Sequence, residues 1–94
     1  MKLGKHGKFL YDFVESFLNE EINRSEFDLD YSGYVIAHFP GFKRETPRLA
    51  ARFASTVDLA YESFRWMEDD DRFYDAIADA FDEFFGIQPV SDFI

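Results

Sequence analysis

The stretch EDDDRFYDAIADAFDEFF, from Glu68 to Phe85, decides the fold. Phe73, Ile77, Ala80, Phe81 and Phe84 recur at the three-and-four spacing that places them on one side of an α-helix. At ~100° per residue, Asp71, Asp75, Asp79, Asp82 and Glu83 fall within an arc of about 120° on the other side. The separation predicts a helix over about residues 72–85, with one face for a core and the other for water. Asp70 or Asp71 is placed to cap its start, Gly86 suits the position after its last turn, and Pro89 prevents its continuation.

Working back toward the N-terminus, the same period appears three more times. Thr46-Pro47 offers a cap followed by proline at the first helical position, and the helix it opens is predicted to run to about residue 67. Leu49, Phe53, Val57, Ala60, Phe64 and Met67 form its seam. A second helix is predicted over about 25–39, with Ser25 as N-cap and Asp28 completing a capping box. Its stripe is Phe27, Tyr31, Tyr34, Val35 and His38, and Pro40-Gly41 is expected to end it. The first helix, about 6–19, carries Phe9, Leu10, Phe13, Val14, Phe17 and Leu18 on one stripe.

Four amphipathic helices with short connections predict an all-α, compact four-helix bundle. Ninety-four residues suit one domain, 1–94, with a frayed N-terminus at 1–5 and a C-terminal tail at 87–94 that either frays or packs back through Val90 and Phe93. Thirteen Phe, five Tyr and one Trp supply the core, and a disordered chain would not carry them. No cysteine is present, so no disulfide or thiolate metal site is available. No apolar run suggests a signal peptide or a membrane span, and the expected location is cytoplasmic.

The charge is uneven. Residues 1–47 hold eight acids and six bases, whereas residues 48–94 hold eleven acids and four bases, within a total of −9. Such a field repels nucleic acid and anionic membranes and attracts cationic partners. Within 68–83, eight of sixteen residues are acidic and only Arg72 is basic. Like charges four apart on a helix oppose its formation, and Asp82 and Glu83 stand at the end where the macrodipole disfavours anions. A face kept only for solubility would mix in lysines. The acids are therefore read as a partner-binding surface formed by Glu68, Asp69, Asp70, Asp71, Asp75, Asp79, Asp82 and Glu83. Tyr74 and Trp66 are read as its aromatic anchors, the residue types that concentrate binding energy, with sealing of the core edge the other reading for Tyr74 and a place in the core the other reading for Trp66. Phe85 at the same margin is read as sealing the core edge.

Other chemistries lack their residues. The five glycines do not form a phosphate-binding loop, no serine lies in a nucleophile elbow, and Asp69-Asp70-Asp71 lacks the glycine and terminal glutamate of an EF-hand. His6 is expected to be exposed and His38 to lie at a core edge, neither acting as a base. The expectation is thus not an enzyme, with no cofactor, no metal site, no nucleic-acid partner and no membrane partner. Lys43, Arg44, Arg48 and Arg52 form a small basic patch, expected to pair with the chain's own acids or with an acidic rim on a partner.

These residues give the sequence a resemblance to the colicin D-type bacterial self-immunity proteins and to immunity proteins of contact-dependent growth inhibition. The shared pattern is Phe9-Leu10 through Phe17-Leu18, then Ile22 and Ser25-Glu26-Phe27, then Leu49, Ala54 or Ala60, and Asp58. It closes with the acid-rich turn and Ile77, Phe81 and Phe84, covering roughly residues 9–85. The resemblance implies an acidic inhibitor that neutralises a basic nuclease toxin, a tRNA-cleaving one in this family, by imitating the nucleic-acid backbone. Two other readings share part of this surface. One is a phage nucleic-acid mimic directed at a restriction or CRISPR enzyme. The other is a helical adaptor whose exposed aromatics, not its acids, take the partner.

Overall fold

The computed structural model describes residues 2–86, all of whose regular structure is helical. The all-α, four-helix expectation holds. The helices are α1 (Lys5–Leu18), α2 (Arg24–Glu45), α3 (47–64) and α4 (Asp70–Phe84). The third is built from Pro47–Phe53, a π-helical turn at Ala54–Asp58, and Leu59–Phe64. The expected roles of Pro89, Val90 and Phe93 lie outside the described residues.

The chain divides into two compact units, Met1–Ala51 and Arg52–Ile94. In the first, α1 and α2 share an aromatic seam. Phe13 and Phe17 stack on Phe27 with centroids 5.0 and 4.4 Å apart, and Phe9 and Phe13 each meet Tyr34 edge-on at 4.9 Å. Offset and T-shaped pairs of this kind add about 0.5–1.5 kcal/mol each beyond the area they bury. Leu10, Val14, Phe17, Phe27, Tyr31 and Phe42 are buried.

Two details of α2 differ from the expectation. Its cap is Asn23, not Ser25, and the reciprocal partner is Glu26. The Glu26 N–H donates to Asn23 Oδ1 at 2.9 Å, and the Asn23 N–H donates to Glu26 Oε1 at 2.8 Å. Asp28 instead pairs with Arg24 one turn back. Nor does α2 stop at Pro40-Gly41; it runs on to Glu45. Proline forgoes one ladder bond, here the one to the carbonyl of Ile36, a residue on the exposed side of the helix. Beyond it, three contacts hold the last turn in helical form. Phe42 is fully buried. Gly41 lies flat against the His6 ring, where any Cβ would collide. Glu45 reaches the start of α1, accepting the His6 N–H at Oε1 and Oε2 (3.0 and 3.2 Å) and the Gly7 N–H at 3.3 Å. A carboxylate thus satisfies orphan donors of α1, which has no side-chain cap of its own.

In the second unit, α3 departs from its predicted seam. Phe53, Val57 and Tyr61 are buried at even four-residue spacing, while Ala60 is half-buried and Phe64 exposed. The cause is the π turn, which carries one residue more than an α turn and rotates everything after it. Thr56 supplies a local reason. Its hydroxyl donates to the Arg52 carbonyl at 2.7 Å, and the Ser55 hydroxyl donates to the same oxygen at 3.2 Å. That carbonyl is the normal acceptor for the Thr56 N–H, so the hydroxyls compete with the α ladder. The helix ends at Phe64, before the predicted 67, and Arg65-Trp66 form a turn. Thr46 does precede Pro47, but its hydroxyl is buried without a hydrogen-bond partner and does not cap α3.

The fourth helix starts two residues earlier than predicted, at Asp70, because Asp69 is its cap. Asp69 Oδ1 accepts the Asp71 and Arg72 N–H groups at 3.0 and 3.2 Å. At the far end Gly86 takes φ 72° and donates to the Glu83 carbonyl at 2.9 Å, the termination expected of it. Phe73, Ile77, Ala80, Phe81 and Phe84 are buried as the spacing predicts. Phe84 meets Phe53 and Phe73 meets Tyr61, both edge-on, which ties α4 to α3 within this unit.

Candidate partner-binding face

The periodicity that buries Phe73, Ile77, Phe81 and Phe84 turns the acids of α4 outward. Asp70, Asp71, Asp75, Asp79, Asp82 and Glu83 are all exposed, as are Glu68 and Asp69 in the preceding turn. From Asp71 to Glu83 the stripe rises about 18 Å at ~1.5 Å per residue, with Asp71, Asp75 and Asp79 about 6 Å apart along the axis. Among the described residues, Glu68, Asp71, Asp75, Asp79, Asp82 and Glu83 have no ion-pair partner and accept no side-chain hydrogen bond. Asp69 differs, since it caps α4 and lies 3.9 Å from Arg72, the one base on the helix. No base occupies the last turn to offset Asp82 and Glu83.

The aromatic residues divide. Trp66 is 81% exposed, and Arg65 lies between it and the core: the guanidinium carbon is 5.0 Å from the Trp66 ring and 5.4 Å from the Tyr61 ring. Arg65 also pairs with Glu62 at 3.6 Å. This stacking holds an indole outside the core at the acidic turn. Tyr74 is half-buried, and Phe85 is half-buried with its edge toward Phe81 at 5.0 Å. Leu59 and Phe64 add further exposed apolar area in this unit.

Among the described residues, the basic patch is not internally neutralised. Lys43, Arg44, Arg48 and Arg52 are exposed, and none makes an ion pair among the described residues. Of the two expected outcomes, pairing with the chain's own acids is not seen among the described residues. Arg52 instead spreads beside Gly86, where a Cβ would meet its guanidinium.

One constellation has no signature in the sequence. His6 is not a free terminal histidine. It is half-buried, and its Nδ1 lies 2.9 Å from His38 Nδ1. In a bond between these two atoms one ring nitrogen donates and the other accepts. Phe9 stacks on His38 at 3.9 Å and 18°. His38 is visible on the inward stripe of α2, but nothing local links it to a residue 32 positions away. No group of three or more metal-ligating side chains forms among the described residues, and no helix is long and apolar enough to cross a membrane.

Comparison with protein-family models, with curated proteins and with solved structures gives no match.

Proposed function

We propose that this chain is an acidic inhibitor that docks the exposed face of α4 onto a cationic protein surface, and that its target is a basic nuclease of the toxin class. The observation that carries the reading is the row of unpaired, exposed carboxylates on a helix whose other face is fully committed to the core. Nucleases hold polyanions with clustered lysines and arginines, and carboxylates at a regular rise of about 6 Å compete for the same cations. Opposite fields on the two proteins also raise the association rate, toward ~10⁸–10⁹ M⁻¹s⁻¹ at low salt in steered pairs, on the order of a hundredfold or more above neutral pairs. Trp66, held out by Arg65, serves as the apolar anchor beside the charged row. No bond is made or broken by this chain in that role; it occludes.

The test is binding to, and protection against, the nuclease encoded beside its gene. Asp75→Lys with Asp79→Lys should weaken binding by at least ~100-fold, or ~3 kcal/mol, and wild-type binding should weaken steeply between ~0.05 and ~0.5 M salt. A second reading, a helical adaptor, draws on the exposure of Trp66, Leu59 and Phe64. There the double charge reversal would leave affinity within about threefold, while Trp66→Ala would abolish it. Binding that ignores both salt and charge reversal overturns the inhibitor reading.

A further inference from the structure

The outer face of α2 carries a residue that the chain itself does not require. Gly33 sits mid-helix, exposed, and a Cβ built there would meet nothing within 4 Å. In such a place glycine costs the helix about 1 kcal/mol relative to alanine. No turn, positive φ or intramolecular neighbour accounts for it. Around it on the same face stand Leu29 and Ile36, 81% and 77% exposed, with Pro40 one turn further on. A large, branched side chain on each side of an open notch is the relief one helix presents to another.

The charges on this face identify what fills it. Glu26 and Arg44 are 44 − 26 = 18 residues apart, about five full turns, so they lie on one line along the helix. One is acidic at the N-terminal end and the other basic at the C-terminal end, with the apolar patch between them. A two-fold axis perpendicular to α2 brings Glu26 of each copy opposite Arg44 of the other, on the same flank. A parallel arrangement would set like charges level with each other. Glu26 uses Oε1 for the capping box, and Arg44 makes no ion pair among the described residues.

We infer that the chain pairs with a second copy of itself through the outer face of α2, the two helices antiparallel and crossing between Gly33 and Ile36. Ile36 of each copy seats over Gly33 of the other, Leu29 packs toward Pro40, and the two Glu26–Arg44 pairs close the ends. The absent Cβ lets the helix axes approach to the short end of the usual ~8–10 Å range. The inference is independent of the acidic stripe on α4, so either stands if the other fails.

Sedimentation equilibrium of the full chain from ~1 µM to ~1 mM tests it. The expected result is a monomer–dimer equilibrium between 11.1 kDa and twice that mass. Ile36→Glu, on an exposed side chain, should weaken dimerisation by ~100-fold or more without loss of helicity. Gly33→Ala should raise the melting temperature of the monomer yet weaken the dimer by ~10-fold, a combination no purely structural role for Gly33 produces. Arg44→Glu should weaken it by ~10-fold, and adding Glu26→Arg, which restores the net charge, should recover most of the loss. A chain that is monomeric to ~1 mM, or a dimer indifferent to Ile36→Glu, overturns the inference. So does a Glu26→Arg/Arg44→Glu variant no better than Arg44→Glu alone. Engagement of this face by a different protein, with the chain itself monomeric, overturns it equally.

Discussion

Asp79 lies at the centre of the acidic row, with Asp75 four residues before it and Glu83 four residues after, and Asp82 three after. Each like-charged pair at these spacings opposes the helix by about 0.2–0.5 kcal/mol in low salt, and an opposite-charge pair favours it by a similar amount. Asp79→Lys therefore exchanges up to three repulsions for as many attractions. Toward Asp82 and Glu83 the new lysine is the N-terminal member of each pair, which is the weaker of the two orientations. The higher helix propensity of lysine adds a few tenths. The sum is a stabilisation of about 1–2 kcal/mol, or roughly 5–12 °C in melting temperature for a chain of this size. Thermal melts followed by circular dichroism at ~0.01 M and ~1 M salt check it, because the Debye length falls from ~30 to ~3 Å and the electrostatic part should vanish, leaving only the propensity contribution. An unchanged or lower melting temperature at low salt would mean that Asp79 has a favourable partner, and the row could no longer be called unpaired. The same variant should lose affinity for the proposed target. A residue whose removal strengthens the fold and weakens binding is one kept for binding.

The caps and helix ends set three further outcomes. Asn23→Ala removes the side-chain half of the capping box and should lower stability by about 1 kcal/mol in urea denaturation. Gly86→Ala places a Cβ at a left-handed φ of 72°, where the exposed Arg52 guanidinium can swing aside but the backbone cannot, and should cost ~1–2 kcal/mol by the same measurement. Desolvation pushes the Glu45 carboxyl up, but hydrogen bonds from the His6 and Gly7 amides outweigh it and hold the group below the usual carboxylate range. A depressed value stabilises the fold above the unfolded value near 4.5 and loses that contribution as pH falls through the folded value. Glu45→Ala should therefore flatten the acid limb of the stability curve and speed amide exchange at His6 and Gly7, leaving neutral-pH exchange in α4 unchanged.

The parts of this chain that are legible in sequence are those governed by local period. The core stripe of α4, the outward set of its acids and the role of Gly86 follow from ~3.6 residues per turn and need no knowledge of what packs where. The start of each helix is less legible, because Asn23 and Ser25, or Asp69, Asp70 and Asp71, are all competent caps by residue type. Two features are closed to local rules altogether. Pro40-Gly41 reads as a stop, yet Phe42 and Glu45 find partners in α1 that carry the helix through. The seam of α3 drifts by one position because two hydroxyls take the Arg52 carbonyl, which a fixed period cannot anticipate. The pairing of His6 with His38 is tertiary in the same sense.

The π turn in α3 gives this helix a property that ordinary helices lack. Removing one residue from an α-helix swings everything downstream by about 100° and pulls the inward side chains off the core. Here the segment 54–58 already holds one more residue than a plain helix would use. Excision of exposed Ser55 would let the coil tighten to regular pitch, with Phe53 and Tyr61 still directed to the same side. A shortening that would disable α1 or α4 is one that α3 can absorb without turning Phe53 or Tyr61 off the core.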